Sequence, residues 1–508
     1  MWTKQALLEL IDAKLRDYRF ILVSNREPYI HRYTARKIEC VQPASGLAAA
    51  LDPVMRACGG TWIAHGSGDA DRHTVDQNDR VIVPPDDPRF TLRRIWLSAR
   101  QERRYYYGLA NQSLWPLCHV VFTRPVFRPE DWQAYREVNQ NFARAVLEEA
   151  GDAPTFVFIQ DFHFALLPRM LKEHNANLII AQFWHIPWPN PEVLRAFPWK
   201  EELLDGMLGN DLLGFHLRFH CQNFLDTVDR LLEAKVDRER QEITRGGKAT
   251  SVRPFPISID FEEHTAVARS AETGREMERW RRRLGLRDEL VGIGIDRLDY
   301  TKGICERLQA LDRFLAKYPR YHERLTFVQI GVPSRSEIPE YELLEKRVEA
   351  MVSEINRKYR KWPARSWRPI IFLKRHFPQH SLTALHRLAN FCIVSSLHDG
   401  MNLVAKEYVA SRFDEDGALI LSDFAGASRE LTDALVVNPF SEEESVEAIR
   451  QALEMPEEER KKRMQKMRAV VAENNIYRWA GKIISTLLKF EFATSGETDV
   501  PLFASESY

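Results

Sequence analysis

The chain has 508 residues, 44% of them hydrophobic and 28% charged, with 72 basic residues balanced by 72 acidic ones. That is too long for one hydrophobic core and has the make-up of a globular protein of two or three domains. A net charge of zero gives no global field for nucleic acid or a membrane surface, so any anionic ligand must be held by local charge. Residues 1–19 intersperse Lys4, Glu9, Asp12, Lys14, Arg16 and Asp17, which fits neither a signal peptide nor a membrane span. The six cysteines, Cys40, Cys58, Cys118, Cys221, Cys305 and Cys392, form no CxxC pair, and reduced thiols in a cytoplasmic protein are expected.

Apolar, β-branched runs alternate with longer helical stretches along the whole chain. In the first half the predicted strands are Phe20–Ser24, Thr61–His65, Thr155–Gln160, Leu178–Phe183 and Leu212–Phe215. Ser24-Asn25-Arg26 closes the first of these, and Ser45-Gly46-Leu47 precedes a helical stretch whose glycine could let backbone approach a phosphate. Asp69-Ala70-Asp71 is formally a D-x-D carboxylate pair, but it lies in a Gly/Asp-rich stretch and reads as a solvated loop. Gln160-Asp161-Phe162-His163 ends one strand, and His185-Ile186-Pro187-Trp188-Pro189 follows another. Both put polar groups where an α/β cleft has them, although a lone histidine can equally be structural.

Two prolines in Pro254-Phe255-Pro256-Ile257-Ser258-Ile259-Asp260 break regular structure and divide the chain into similar halves. Beyond them, Arg281-Arg282-Arg283 reads as a solvated helix face. The strands of this half are Leu290–Ile295, Leu325–Ile330, Pro369–Leu373, Phe391–Ser396, Ala418–Ser422 and Ala434–Val437. Continuous apolar strands separated by helices predict parallel sheets covered on both faces, the doubly wound α/β class. Arg297-Leu298-Asp299-Tyr300-Thr301-Lys302-Gly303 leaves a strand end with two cations five apart, which suits a diphosphate clamp. A surface pairing of Arg297 with Asp296 or Asp299 is the alternative. Asp399-Gly400-Met401-Asn402-Leu403-Val404-Ala405-Lys406-Glu407 reads as strand end, tight turn and helix start. Its free N–H groups suit hydroxyls and phosphates, and Glu407 lies about one turn along, in reach of a ribose diol. There is no GxGxxG, Walker A, HExxH or Cys/His zinc spacing, and Ser495–Tyr508 reads as a polar, frayed tail.

Eight segments, SNR, QDFH, HIPWP, DLLGFH, RLDYTKG, DGMNLVAKEY, SDFAGA and VVNP, occur in the order found in the trehalose-6-phosphate synthase family. The resemblance runs from about Phe20 to about Leu488. It implies a GT-B architecture, with two Rossmann-like domains facing across a cleft. It places an acceptor-binding domain at 1–256, a nucleotide-sugar-binding domain at 257–478 and a helix at 479–494 crossing back to the first domain. It also implies that Arg297 and Lys302 hold the donor diphosphate. Asp399 and the backbone of Gly400, Met401 and Asn402 would bind donor glucose, with the Leu403 amide on phosphate and Glu407 on ribose. His185 would lie near the reacting bond and Gly46 along the phosphate site. Arg26, Trp62, Tyr106, Trp115, Asp161 and Arg335 would form the acceptor site, with Asp161 also in a catalytic role.

The implied reaction is glucosyl transfer with retention from a nucleoside-diphosphate glucose, UDP-glucose foremost, to glucose 6-phosphate, giving α,α-trehalose 6-phosphate. No metal, no cofactor beyond the co-substrate and no enzymatic nucleophile are expected. Dephosphorylation would fall to a separate phosphatase, and a homo-oligomer is compatible with the sequence. Another phosphorylated acceptor such as glycerol 3-phosphate, or a silent sugar-phosphate sensor, remains the alternative. The chain departs from the family at Ser45-Gly46, where two glycines are usual, at Ala64 to Arg72, and at Trp184.

Overall fold

The computed structural model describes residues 2–490 except 16, 36, 43–45 and 361–366; Ser45 and the tail from 495 lie outside the described residues. The strands assemble into two large sheets. The first has ten strands, in the order 235–237, 242–245, 248–254, 212–215, 178–183, 155–160, 19–26, 61–65, 90–95 and 80–83. Its central seven strands are parallel, and antiparallel strands finish both edges. Thr155–Gln160 and Leu178–Phe183 are buried at every position, which is why they read as unbroken apolar runs.

The strands toward the two edges escape such a reading. Phe90–Ile95 alternates buried and half-buried residues and carries Arg93 and Arg94. Arg80–Val83, at one edge, has only four residues, and Glu242–Arg245, next to the other edge, is short and polar.

The second sheet has six parallel strands, in the order 370–373, 325–332, 290–297, 391–394, 418–422, 435–437. Numbered by their own sequence these run 3-2-1-4-5-6, the order of a dinucleotide-binding fold. The order reverses between 290–297 and 391–394, and ligands of such sheets bind beyond the carboxyl ends there. The architecture is GT-B: two Rossmann-like doubly wound domains facing across a cleft. The helix Ile476–Leu487 returns to the first sheet. Its Trp479 ring packs 6.0 Å from Phe158 and 5.2 Å from Phe183, and Asn475 Nδ2 donates to the Trp2 carbonyl at 2.8 Å. Among the described residues no helix is long and apolar enough to cross a membrane, and no group of three or more His, Cys, Asp or Glu could hold a metal ion.

Candidate active site

The switch point of the second sheet brings two sequence motifs together. Lys302, in the turn after 290–297, places Nζ 2.5 Å from Asp399 Oδ2, in the loop after 391–394. Asn402 Nδ2 donates to the same oxygen at 3.1 Å. Burial works to raise the Asp399 carboxyl, but the adjacent ammonium outweighs it and holds the group well below the ordinary carboxylate range. Gly303 makes the turn possible: its φ is +61°, and a Cβ there would lie 2.1 Å from the Ser395 carbonyl oxygen.

Asn402, at φ +82°, begins the helix Leu403–Ser411 and caps it by accepting the Ala405 N–H at 3.2 Å. The Met401 side chain joins the core, and its carbonyl accepts the Ala427 N–H at 2.8 Å. Glu407 lies one turn along this helix, and burial raises its carboxyl above the ordinary value.

Arg297 does not bond Asp296, which is taken by Arg307 at 2.7 Å. It lies 3.7 Å from Asp299, whose Oδ2 also faces Arg335 at 3.3 Å and the Tyr341 hydroxyl at 3.3 Å. Asp299 is fully buried, and its Oδ1 accepts from the Thr301 N–H and hydroxyl. One anchored carboxylate thus steadies two guanidinium groups. The RLDYTKG segment contains it, and its interior position is the signal that sequence reading lacked.

Arg335 reaches the other half. Its guanidinium lies 4.0 Å from the Trp115 ring centroid, where Arg297 stands at 5.4 Å, and its charge acts on Tyr106. Arg26 Nη2 donates to the Tyr106 hydroxyl at 3.1 Å. Burial opposes ionisation of Tyr106, yet the two guanidinium groups bring its pKa down to about 7.

Tyr106 and Trp115 are nine residues apart, two and a half turns of an α-helix, which would put them on opposite faces. The segment Glu102–Leu114 is instead wound with i→i+5 bonds; the Trp115 N–H meets the Ala110 carbonyl. At roughly 4.4 residues per turn, nine residues are about two turns and both rings face Arg335.

On the first sheet, the ladder between 19–26 and 61–65 shifts register after Val23, so that Arg26 pairs with His65. This bulge turns Arg26 outward. Trp62, expected against the sugar ring, has no exposed surface; it packs at 5.9 Å on Phe90 in the core. The cause is its place on an inner face of the sheet, where its Nε1 donates to Ser24 Oγ at 2.8 Å. Ser24 in turn donates to the Arg26 carbonyl at 2.6 Å, so Trp62 supports the bulge from beneath. The expected solvated loop at Asp69-Ala70-Asp71 also needs correction: Asp69 is exposed, but Asp71 is fully buried. It accepts the His31 N–H at 2.7 Å and lies 2.9 Å from Arg94, which binds Glu27 at 2.8 Å.

Asp161 has φ +74° and ψ 177°, a region kept almost wholly for glycine, and such strain costs on the order of 1–3 kcal/mol. Its N–H donates to the Phe183 carbonyl at 2.7 Å and its Oδ1 accepts the His185 N–H at 3.2 Å. Burial pushes its pKa up to about 7, against the Phe162 and His185 N–H groups and the charges of Arg335 and Arg297. His185 Nε2 pairs with Gln160 Oε1 at 2.9 Å, and burial together with His163 pulls its pKa down to about 3, so the ring is neutral. A Cβ on Gly400 would lie 2.3 Å from the His185 carbonyl, so glycine alone lets the donor loop approach this closely. Gly46 opens the helix Gly46–Cys58.

Arg26, Arg297, Arg335 and Lys302 outnumber Asp161, Asp299 and Asp399 in this cleft by one, in a chain of zero net charge. Such a surplus, with aromatic faces and a strained carboxylate beside it, is built for anionic, hydroxyl-rich ligands. The family model for glycosyltransferase family 20 matches residues 18–489.

The chain belongs to glycosyltransferase family 20. It is 37% identical over 480 residues to a trehalose-6-phosphate synthase of Mycobacterium marinum, covering 93% of this chain and 94% of that one. A bifunctional trehalose-6-phosphate synthase/phosphatase of Thermoproteus tenax is 36% identical, with 94% and 64% covered. A trehalose-6-phosphate structure from E. coli bound with UDP-2-fluoro glucose superposes with a TM-score of 0.82 at 31% identity, covering 93% and 99%. A UDP-forming alpha,alpha-trehalose-phosphate synthase from Burkholderia xenovorans in complex with glucose-6-phosphate gives 0.82 at 29%, covering 92% and 99%. This family 20 chain is therefore a glycosyltransferase of the trehalose-phosphate synthase type.

Proposed function

We propose that this enzyme transfers glucose from UDP-glucose to glucose 6-phosphate with retention at the anomeric carbon, releasing UDP and α,α-trehalose 6-phosphate. The observation that carries this reading is the meeting of Lys302, Asp399 and Arg297 on one side with Arg26, Tyr106, Trp115 and Arg335 on the other. Two anionic ligands fit this arrangement, a diphosphate beside the first group and a sugar phosphate beside the second. The family's solved relatives bound to a UDP sugar and to glucose 6-phosphate support that division.

In this reading the bond from the anomeric carbon to the diphosphate oxygen breaks as the acceptor hydroxyl adds from the same face. The departing phosphate oxygen takes the hydroxyl proton, so no side chain need form a covalent intermediate. Arg297 and Lys302 stabilise the charge that develops on the diphosphate. Asp161 and His185 position the acceptor hydroxyl and the donor ring, and their contribution is orientation. The backbone N–H groups at Asn402 and Leu403 receive glucose and phosphate oxygens, and Glu407 the ribose. The six cysteines are all free, which agrees with a cytoplasmic setting, and the phosphorylated product calls for a separate phosphatase.

The test is release of nucleoside diphosphate from UDP-, ADP- and GDP-glucose against glucose 6-phosphate and glycerol 3-phosphate, with NMR assignment of the product's anomeric configuration. UDP-glucose with glucose 6-phosphate should be the preferred pair. No turnover with any donor, or preference for glycerol 3-phosphate, would overturn the reading.

A further inference from the structure

His398 precedes Asp399 in the donor loop, yet its ring turns from the phosphate clamp toward the first half. His398 Nδ1 lies 2.7 Å from the His119 carbonyl oxygen. A carbonyl only accepts, so Nδ1 carries the hydrogen. His119 ends the helical run Trp115–His119, which stops where Val120 turns left-handed at φ +52°. The last carbonyls of a helix have no partner inside it, and His398 supplies one.

The His119 ring returns to the acceptor site. Its centroid is 4.1 Å from that of Trp115, and its Nδ1 is bonded to the Trp115 carbonyl at 2.8 Å. A continuous line of contacts therefore runs from Asp399 through His398 and His119 to Trp115 and on to Arg335. Beside it a second contact crosses between the halves: Phe122, 90% exposed, meets Phe440 at 6.5 Å, and Phe424 lies 6.5 Å from His398.

We infer that His398 is a positioning residue that couples occupancy of the donor loop to the placement of the acceptor helix, through its hydrogen bond to the His119 carbonyl. This rests on the substrate reading above. A nucleotide with its phosphate on the Leu403 N–H and its ribose on Glu407 fixes the start of the helix that follows His398, and the bond passes that constraint to the end of the helix bearing Trp115. Coupling between two sites is reciprocal, so the sugar phosphate must tighten the nucleotide by the same factor. One neutral hydrogen bond corresponds to a factor of about five.

Calorimetry on the full chain decides, with UDP and glucose 6-phosphate as probes, each titrated alone and with the other saturating. The wild-type protein should bind each probe about five-fold tighter in the presence of the other. His398→Ala should lose that enhancement while each probe alone keeps its Kd within about twofold. His398→Asn, whose side-chain amide can donate to the same carbonyl, should recover part of it. Should the alanine variant fail to fold, His398→Phe fills the space without the donor and gives the same readout. Undiminished coupling in a folded variant without the donor would overturn the inference, as would equal weakening of each probe alone. A wild-type chain that bound neither probe would remove the substrate reading and this inference with it.

Discussion

On the second-half side of the cleft, Arg297, Lys302 and Asp399 arrive from two adjacent strand ends at the point where sheet order reverses. On the first-half side, each acceptor residue depends on a local departure from regular geometry: a bulge before Arg26, an i→i+5 helix between Tyr106 and Trp115, a glycine-like backbone at Asp161. A doubly wound sheet presents loops for a nucleotide as a consequence of its topology. It does not by itself present a shaped pocket for a second sugar, and the first half makes one by bending its own elements. The donor side should thus respond to mutation through charge, and the acceptor side through geometry.

The largest effect should come from the donor side. Arg297→Ala removes a charge facing the departing diphosphate and should lower kcat on the order of 10²-fold or more; steady-state rates near wild type would show the clamp to be misassigned. On the acceptor side, Arg335→Lys keeps the charge but loses the planar fork stacked on Trp115 and shared with Asp299. It should raise KM for glucose 6-phosphate on the order of ten-fold while KM for UDP-glucose moves little. Equal changes in both would erase the division of labour.

Stability separates the two sides further. Burial and Asp71 push the Glu27 carboxyl from its ordinary 4.5 up to about 8, against the pull of Arg94. The folded protein then holds a proton that the unfolded chain has released, so stability falls as pH rises from about 4.5 to about 8. Glu27→Gln should flatten that part of the Tm–pH curve. An unchanged slope would place the proton elsewhere. The smallest effect tests the Trp62 correction. Trp62→Phe forfeits the bond to Ser24 and should cost about 1 kcal/mol in denaturant unfolding, yet leave KM for glucose 6-phosphate within about twofold. A large rise in that KM would return Trp62 to the acceptor site.

Much of the fold was legible because its central strands are buried on both faces and read as unbroken apolar runs, as in Thr155–Gln160 and Ala418–Ser422. Phe90–Ile95 was not, since Arg93 and Arg94 interrupt its pattern and find partners only in the folded chain. Arg297, Lys302 and Asp399 were legible as motifs at strand ends. His398 was not, because what distinguishes it is the carbonyl of His119, 279 residues away in the chain.

The sequence alone determined the alternation of strands and helices, the parallel order that follows from it, and the local motifs that gather positive charge at strand ends. These depend on hydrophobic period and on residues within one turn of each other. Tertiary structure alone decided which face each aromatic shows. Trp62 went inward and Trp115 toward the arginines, since those choices are set by which face of the sheet is covered and by a helix pitch, both imposed by neighbouring elements.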